Sequence, residues 1–290
     1  MRIGLNSPVV TANPGVHDAW EEHAGIIELA RIAEAADRLG FHHLTCSEHV
    51  AVPTGLAAER GATYWDPLAT FGYLAARTSR IRLATQVLVL GYHHPLEIAK
   101  RYGTLDVVSG GRLVLGLGVG SLQAEFDLLG AAWEGRGARA DDALQALRAA
   151  LGRREPSYDG SHFAFDDLVV QPHAVQQRVP LWIGGYTPRS LRRAVELGDG
   201  WMPFGLPADK LAGMLGEQDL PDGFEVVLSP GRPLDPTGDP DKTGERLERL
   251  RDAGATLVGA SISARDAAHY VEQLEALAEV AGLTHAGDVA

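Results

Sequence analysis

Short apolar runs of strand length recur along the chain, and each is followed by a longer stretch in which apolar residues return every three or four positions. That alternation predicts βα units around a parallel sheet. Eight strands are expected, at 3–6, 43–46, 81–88, 113–118, 181–184, 200–203, 225–228 and 256–260. Eight helical regions fall at 25–39, 67–76, 95–108, 138–151, 188–197, 208–215, 242–252 and 265–281; in the first, Ile26, Ala30, Ala33, Ala36 and Leu39 follow helical spacing. Asp66-Pro67, His94-Pro95 and Thr187-Pro188 each set a proline at a helix start, where its missing N–H does no harm. Eight βα units predict a fold of the α/β class, a (β/α)8 TIM barrel, whose chemistry sits at the C-terminal ends of the strands.

Two segments exceed what a barrel requires. Residues 47–64, after strand 2, and 153–180, before strand 5, read as insertions that form lids or rims, and Tyr158-Asp159-Gly160-Ser161-His162 reads as a hairpin turn between short strands. Residues 235–241, with Pro236, Gly238 and Pro240, read as a surface loop. One barrel domain over 1–284 is expected, with a frayed tail at 285–290.

Composition narrows the partners. Hydrophobic residues make up 45% and charged residues 22% of the 290, enough for a large core and no case for disorder. The net charge of −12 repels nucleic acid and anionic membrane, so neither is expected as a partner. Cys46 is the single cysteine, which excludes an intrachain disulfide and a multi-cysteine zinc site and fits a reducing compartment. The first residues carry no long apolar segment, and no window approaches the ~18 uninterrupted apolar residues of a membrane span. A cytoplasmic location is expected.

At the strand ends, Ser47-Glu48-His49 brings a carboxylate and an imidazole to the rim, where an imidazole can give or take a proton near neutrality. A loop-capping histidine and a surface ion pair are the plain alternative. Gly116-Leu117-Gly118-Val119-Gly120-Ser121 follows strand 4 but lacks the last glycine of a dinucleotide fingerprint, leaving a crowded strand end or the close approach of a flat ligand. In Ile183-Gly184-Gly185-Tyr186-Thr187-Pro188, Thr187 can cap the next helix, whose N-terminus can hold phosphate with Arg189, Arg192 and Arg193 nearby; an ordinary tight turn is the alternative. Thr85 and Gln86 are polar residues in a buried strand and need partners, from a neighbouring strand or from a ligand. His93 and His94 should point to opposite sides and belong to no metal-ligand pattern, so no metal is expected. His42 and His43 read as helix-end or loop residues.

Taken together, these segments resemble the bacterial luciferase-like family, and in particular its branch that uses the deazaflavin coenzyme F420. The resemblance spans residues 1 to about 203. It rests on Leu39-Gly40-Phe41 leading to Ser47-Glu48-His49, on Thr78 through Thr85, and on His94-Pro95 through Ser109-Gly110-Gly111-Arg112. Gly116 to Gly120 with Glu125-Phe126, and Ile183-Gly184-Gly185 through Gly198-Asp199-Gly200-Trp201, complete it. The resemblance implies Glu48 and His49 as catalytic residues near the ring, and Gln86-Val87 at a third-strand bulge where many relatives carry a non-prolyl cis peptide. It further implies that Gly118, Val119 and Gly120 line the cofactor channel and that Gly184, Gly185 and Thr187 take the phosphate. The usual barrel phosphate site follows strands 7 and 8, so a site after strand 5 rests on the resemblance. Ser121 and Ala124 replace the acidic residue and the asparagine of the branch's sugar-phosphate dehydrogenases, which argues against that substrate.

The leading expectation is an F420-dependent oxidoreductase that passes hydride between the deazaflavin and a small organic substrate, working as a homodimer. The alternative is an FMN-dependent monooxygenase. A carbon in place of the ring nitrogen confines a deazaflavin mainly to hydride transfer, so cofactor identity separates the two. A non-catalytic cofactor-binding protein is a third reading, and a metal-dependent hydrolase is disfavoured by the missing ligands.

Overall fold

The computed structural model describes residues 1–283; the tail expected at 285–290 lies outside them. Eight parallel strands close into a barrel: β1 (Arg2–Leu5), β2 (His43–Cys46), β3 (Arg82–Thr85), β4 (Leu113–Gly118), β5 (Leu181–Gly184), β6 (Gly200–Met202), β7 (Glu225–Leu228) and β8 (Leu257–Ala260). Each pairs with its sequence neighbour, and β1 pairs with β8 in the register Ile3↔Val258 and Gly4↔Gly259, closing the ring. The eight expected strands are therefore all present, with ends shifted by a residue or two. One is interrupted, at the place where the resemblance implies a bulge. The third run, read as continuous over 81–88, breaks at a cis peptide between Gln86 and Val87, and the ladder against β4 resumes at Leu88–Val89.

The eight expected helices cover the outside: α1 (Ile26–Arg38), α2 (Pro67–Arg77), α3 (Pro95–Ser109), α4 (Arg136–Ala150), α5 (Pro188–Leu197), α6 (Ala208–Gly216), α7 (Pro240–Asp252) and α8 (Ala267–Ala281). The proline starts behave as their sequence indicates. Asp66 Oδ1 accepts from Ala69 N at 2.8 Å, His94 Nδ1 from Leu96 N at 3.2 Å and Thr187 Oγ1 from Ser190 N at 3.2 Å. These side chains satisfy first-turn N–H groups that have no partner within the helix. The segment before β5 holds the expected hairpin, with Tyr158–Asp159 antiparallel to Ala164–Phe165. The loop at 235–241 is shorter than expected, because Asp239 caps a helix that already begins at Pro240. Two short helices, Ala57–Arg60 and Gln123–Leu128, were not foreshadowed by periodicity.

Period-2 alternation splits the strand residues into two apolar groups. Ile3, Leu44, Leu83, Leu115, Ile183, Trp201, Val226 and Val258 face outward into one large cluster with the helices. Ala84, Val114, Trp182, Met202, Val227 and Leu257 face inward and form a second, separate cluster that fills the barrel. His43 belongs to this interior, which corrects the reading of it as a helix-end or loop residue. It is the first residue of β2, fully buried, and its ring lies edge-on to Trp182 with centroids 5.0 Å apart. Burial and the neighbouring His42, Arg2 and Arg82 charges hold it well below the usual imidazole range, so it is neutral. Trp182 Nε1 donates to Glu225 Oε2 at 2.6 Å, and Glu225 also pairs with Arg2 at the barrel floor.

Glycine makes room inside the barrel. A Cβ on Gly4 would lie 2.1 Å from the His43 ring, and one on Gly116 would lie 1.9 Å from the Thr85 carbonyl oxygen and 2.7 Å from Met202. Among the described residues no helix is long and apolar enough to cross a membrane.

Gly116→Ala is expected to destabilise the fold by about 3 kcal/mol, because the added methyl meets backbone of β3 that cannot turn aside. Urea denaturation followed by circular dichroism checks this, and an unchanged midpoint would show that the barrel wall relaxes around a side chain there.

Candidate functional site

The C-terminal ends of the strands open onto a cavity of about 600 Å³, within the range of small-molecule sites. Its wall includes Asn6 and Ser7 after β1, Thr45, Cys46 and Ser47 at β2, Gln86 at the β3 break, and Ser229 and Ser261 after β7 and β8. The same inward alternation that buries His43 brings Thr45 and Ser47 to this surface. Thr85 finds its partner on a neighbouring strand, donating to Gly116 O at 2.7 Å, and Ser47 Oγ donates to the Gln86 carbonyl at 2.7 Å.

Glu48 and His49 leave β2 in opposite directions. Glu48 Oε2 accepts from Val89 N at 2.7 Å, and Oε1 meets His93 Nε2 at 2.6 Å, so both oxygens are held inside the rim. Burial disfavours a charged His93, but the Glu48 carboxylate, assisted by Glu97, outweighs it and holds the imidazole above its ordinary range. His94, its neighbour, turns away to cap α3 and packs edge-on against Phe163.

His49 points to Glu125, its Nδ1 2.7 Å from Oε2, and stacks edge-on against Tyr64 with ring centroids 4.5 Å apart. It stands outside the wall of the cavity, on the rim. Glu125 is 1% exposed and collects further donors: Val50 N and Ala51 N on Oε1 and Tyr92 OH at 2.7 Å on Oε2. Burial alone would raise its carboxyl, but these donors, Tyr92 and His49 first, hold it below the usual glutamate range. A carboxylate on Nδ1 fixes that nitrogen as the N–H and leaves Nε2 as the ring atom free for other work. Glu125 is the site residue that sequence reasoning missed. It was visible only as part of Glu125-Phe126, and nothing in its local pattern joins it to a histidine 76 positions earlier.

The glycine segments are brought together by Val87. A Cβ on Gly118 would lie 2.6 Å from one methyl of Val87, and a Cβ on Gly184 would lie 2.8 Å from the other. The crowding reading of these glycines thus has a protein cause, since β4 and β5 part just enough to admit the side chain that follows the cis peptide. Gly120 has φ +82° and would carry its Cβ into Phe126, while Val119 packs against the outer core.

At the start of α5, Thr187 and Ser190 form a reciprocal cap, Thr187 N donating to Ser190 Oγ at 3.1 Å. With Pro188 lacking an N–H, the backbone N–H of Arg189 remains at the tip of the helix dipole. The three arginines are not equivalent. Arg193 is buried against Asp141 of α4, whereas the Arg189 side chain is mostly exposed and lies 3.8 Å from the other oxygen of the same carboxylate. Arg136, at the start of α4, reaches the Gly120 carbonyl and lies over the Trp133 ring, and Gly137 sits 3.3 Å (from an ideal Cβ) from the Arg189 guanidinium. Two helix N-termini and two arginines therefore meet beside the glycine channel, a set suited to an anion. Arg136 had no signal of its own in the sequence. Among the described residues no group of three or more His, Cys, Asp or Glu side chains gathers to hold a metal ion.

The strands close into a (β/α)8 TIM barrel whose strand ends carry the β3 break and two carboxylate-imidazole pairs. The chain belongs to the family described as luciferase-like monooxygenase, whose sequence model matches residues 1–217. It is 32% identical over 270 residues to an uncharacterized protein of Mycobacterium tuberculosis, covering 85% of this chain and 92% of that one. An F420-dependent glucose-6-phosphate dehydrogenase of Microbacterium testaceum is 28% identical over 190 residues, 64% of this chain and 55% of that one. Among solved structures, the long-chain alkane monooxygenase LadA superposes with a TM-score of 0.79 at 12% identity, covering 99% of this chain and 92% of that one.

Glu125→Gln is expected to lower stability by about 2 kcal/mol at pH 7, because an amide cannot accept from all of these donors. The carboxyl is held below its unfolded value, so its contribution is present above the ordinary glutamate range and is lost as pH falls through the folded value. Denaturation midpoints measured from pH 7 down to pH 3.5 should show wild type and variant converging. A gap that does not change with pH would refute the assignment.

Proposed function

We propose that this protein is an F420-dependent oxidoreductase transferring hydride between the deazaflavin and a small organic substrate. The observation that carries the reading is His49, locked through Nδ1 to the buried Glu125 and left with Nε2 free of any hydrogen bond among the described residues. The F420-dependent relative supports the choice of cofactor. The family description, which names a monooxygenase, favours oxygen activation, and an FMN-dependent monooxygenase is the second reading.

The residues present fit such a group. Gly118 and Gly184 leave room for Val87 next to the Gln86-Val87 peptide, and Arg136, Arg189 and the start of α5 supply the anion-binding end. Gln86 and Ser47 wall the cavity beside it. When bound, a deazaflavin supplies a carbon that gives or takes hydride. His49 Nε2 holds or releases the proton that accompanies the change at the substrate oxygen. Glu125 positions the ring, and Tyr92 shares the same oxygen. Glu48, with both oxygens engaged, acts as a positioning residue that ties the end of β2 to His93 and to the resumed third strand.

Equilibrium titration with F420 and with FMN tests the cofactor, and F420 is expected to bind at least ~10-fold tighter, equivalent to ~1.4 kcal/mol. A tenfold preference for FMN would transfer the assignment to the monooxygenase. A Cβ at Gly185 would meet Ser190 at 2.8 Å on a backbone with φ +123°, so substitution there would disturb the helix start itself. Arg136→Ala with Arg189→Ala is the cleaner probe of the anion end and should weaken cofactor binding while the melting temperature holds.

His49→Ala is expected to slow single-turnover hydride transfer by about 10²–10⁴-fold, the usual contribution of a general acid or base, with a much smaller change in cofactor affinity. A folded variant that turns over at the wild-type rate would remove His49 from the chemistry.

A further inference from the structure

The wall of the cavity on the β1 and β8 side carries polar atoms that find no hydrogen-bond partner among the described residues. Asn6 Oδ1, Ser7 Oγ, Thr11 Oγ1 and the Tyr270 hydroxyl are all buried, all belong to cavity-lining residues, and none has a hydrogen-bond partner. Ser7 is 8% and Tyr270 1% exposed. Buried polar groups without partners are uncommon, and four on one wall of one cavity indicate a surface built to be completed by something else. They also lie away from the β3, β4 and β5 ends, where the glycine channel and the two arginines are found.

The chemistry of the wall is specific. Asn6 Nδ2 donates to Gly259 O at 3.3 Å and to Ser261 Oγ at 3.1 Å, which fixes the amide orientation and leaves an acceptor oxygen without a donor. A ligand that answers it must bring an O–H or N–H. Ser7, Thr11 and Tyr270 each offer a hydroxyl, and burial beside Glu21 and Asp18 raises the Tyr270 phenol so that it stays neutral. Around these groups Val10, Val16, Phe204, Leu206, Leu211 and Ile262 give an apolar surface.

Charge is as informative as hydrogen bonding. Among the residues that line the cavity there is no Lys or Arg; apart from Cys46 and Tyr270, the titratable ones are His17 and Glu21. Glu21 accepts from Val9 N at 2.7 Å and Asp18 N at 2.9 Å, and burial nevertheless raises its carboxyl. An anion placed here would lose its water opposite a carboxylate, with no cation to replace it.

We infer that the β1 and β8 side of the mouth is the substrate subsite, and that it selects an uncharged molecule bearing at least one hydroxyl or N–H donor on a compact apolar frame, rejecting phosphorylated and carboxylated compounds of the same shape. The inference rests on the proposed oxidoreductase reading only in treating this ligand as the substrate. The structure assigns Asn6, Ser7, Thr11 and Tyr270 to its recognition and Glu21 to the exclusion of anions.

Three probes on one ring test it: trans-1,2-cyclohexanediol, cyclohexyl phosphate and cyclohexanecarboxylate, titrated calorimetrically into the protein with and without its bound cofactor. The diol is expected to bind at least ~10-fold tighter than either anion. Ser7→Ala and Thr11→Val should each weaken the diol by roughly fivefold and leave cofactor affinity unchanged, the loss of one neutral hydrogen bond. Glu21→Gln should narrow the discrimination against the two anions. An anion that binds as well as the diol, folded Ser7 and Thr11 variants with wild-type diol affinity, or no diol binding at any concentration would each overturn the assignment. Cofactor affinity is measured separately, so a protein that takes the diol selectively but neither F420 nor FMN would sink the proposed function and leave this subsite standing.

Discussion

A closed ring of eight strands has an inside that must be filled, and in this protein two large aromatic rings fill its lower part. Trp182 and His43 meet edge-on across the barrel, and the strands around them give way through glycine at Gly4 and Gly200. The packing is possible only because large and small residues alternate across facing strands. With the floor sealed, Glu225 can hold both the indole N–H of Trp182 and the Arg2 guanidinium at the edge of the barrel. The sealed floor also means that the strand ends at the opposite face are the open end, where inward positions are no longer committed to packing and carry small or polar residues: Asn6, Thr45, Ser47, Gln86, Ser229 and Ser261.

Above that floor, two carboxylates organise the rim. Glu125 fastens the segment after β4 to the segment after β2 through His49, Val50 and Ala51, and to the segment after the third strand through Tyr92. Glu48 fastens β2 to the resumed third strand through Val89 and His93. The two pairs respond oppositely to pH. The Glu125 carboxyl is held low, so its contribution is lost on acidification, while His93 is held high, so its contribution is present below the ordinary imidazole value and lost as pH rises through the folded one. The rim is thus most firmly held between those limits, where the Glu125 carboxylate is charged and His93 is protonated.

The mouth divides by charge. Arg136, Arg189 and two helix starts lie on the β4 and β5 side, next to glycines kept small by Val87. The β1 and β8 side has hydroxyls, an amide and Glu21, with no cation among the cavity-lining residues. Such a division suits one ligand with an anionic end and a second ligand without one. It also keeps a molecule carrying its own phosphate from occupying both halves interchangeably, because each half is completed by a different chemistry.

Much of the fold could be read from the chain alone. Eight strands and eight helices were legible because hydrophobic period is a local property: the run at 113–118 and the helix starts at Asp66, His94 and Thr187 need only their neighbours to be recognised. The Ser47-Glu48-His49 and Gly184-Gly185 segments were legible as strand ends for the same reason. What the pattern could not supply was the pairing of residues distant in sequence. Only the closed barrel sets Glu125 against His49, turns Glu48 toward His93, inserts Val87 between Gly118 and Gly184, and buries His43 against Trp182. Only it leaves the hydroxyls of Ser7, Thr11 and Tyr270 unpartnered on one wall. The physical reason is that period and capping depend on neighbours within a few residues, whereas hydrogen-bond partnership, burial and shared charge depend on which strands and loops the closure of the ring brings into contact.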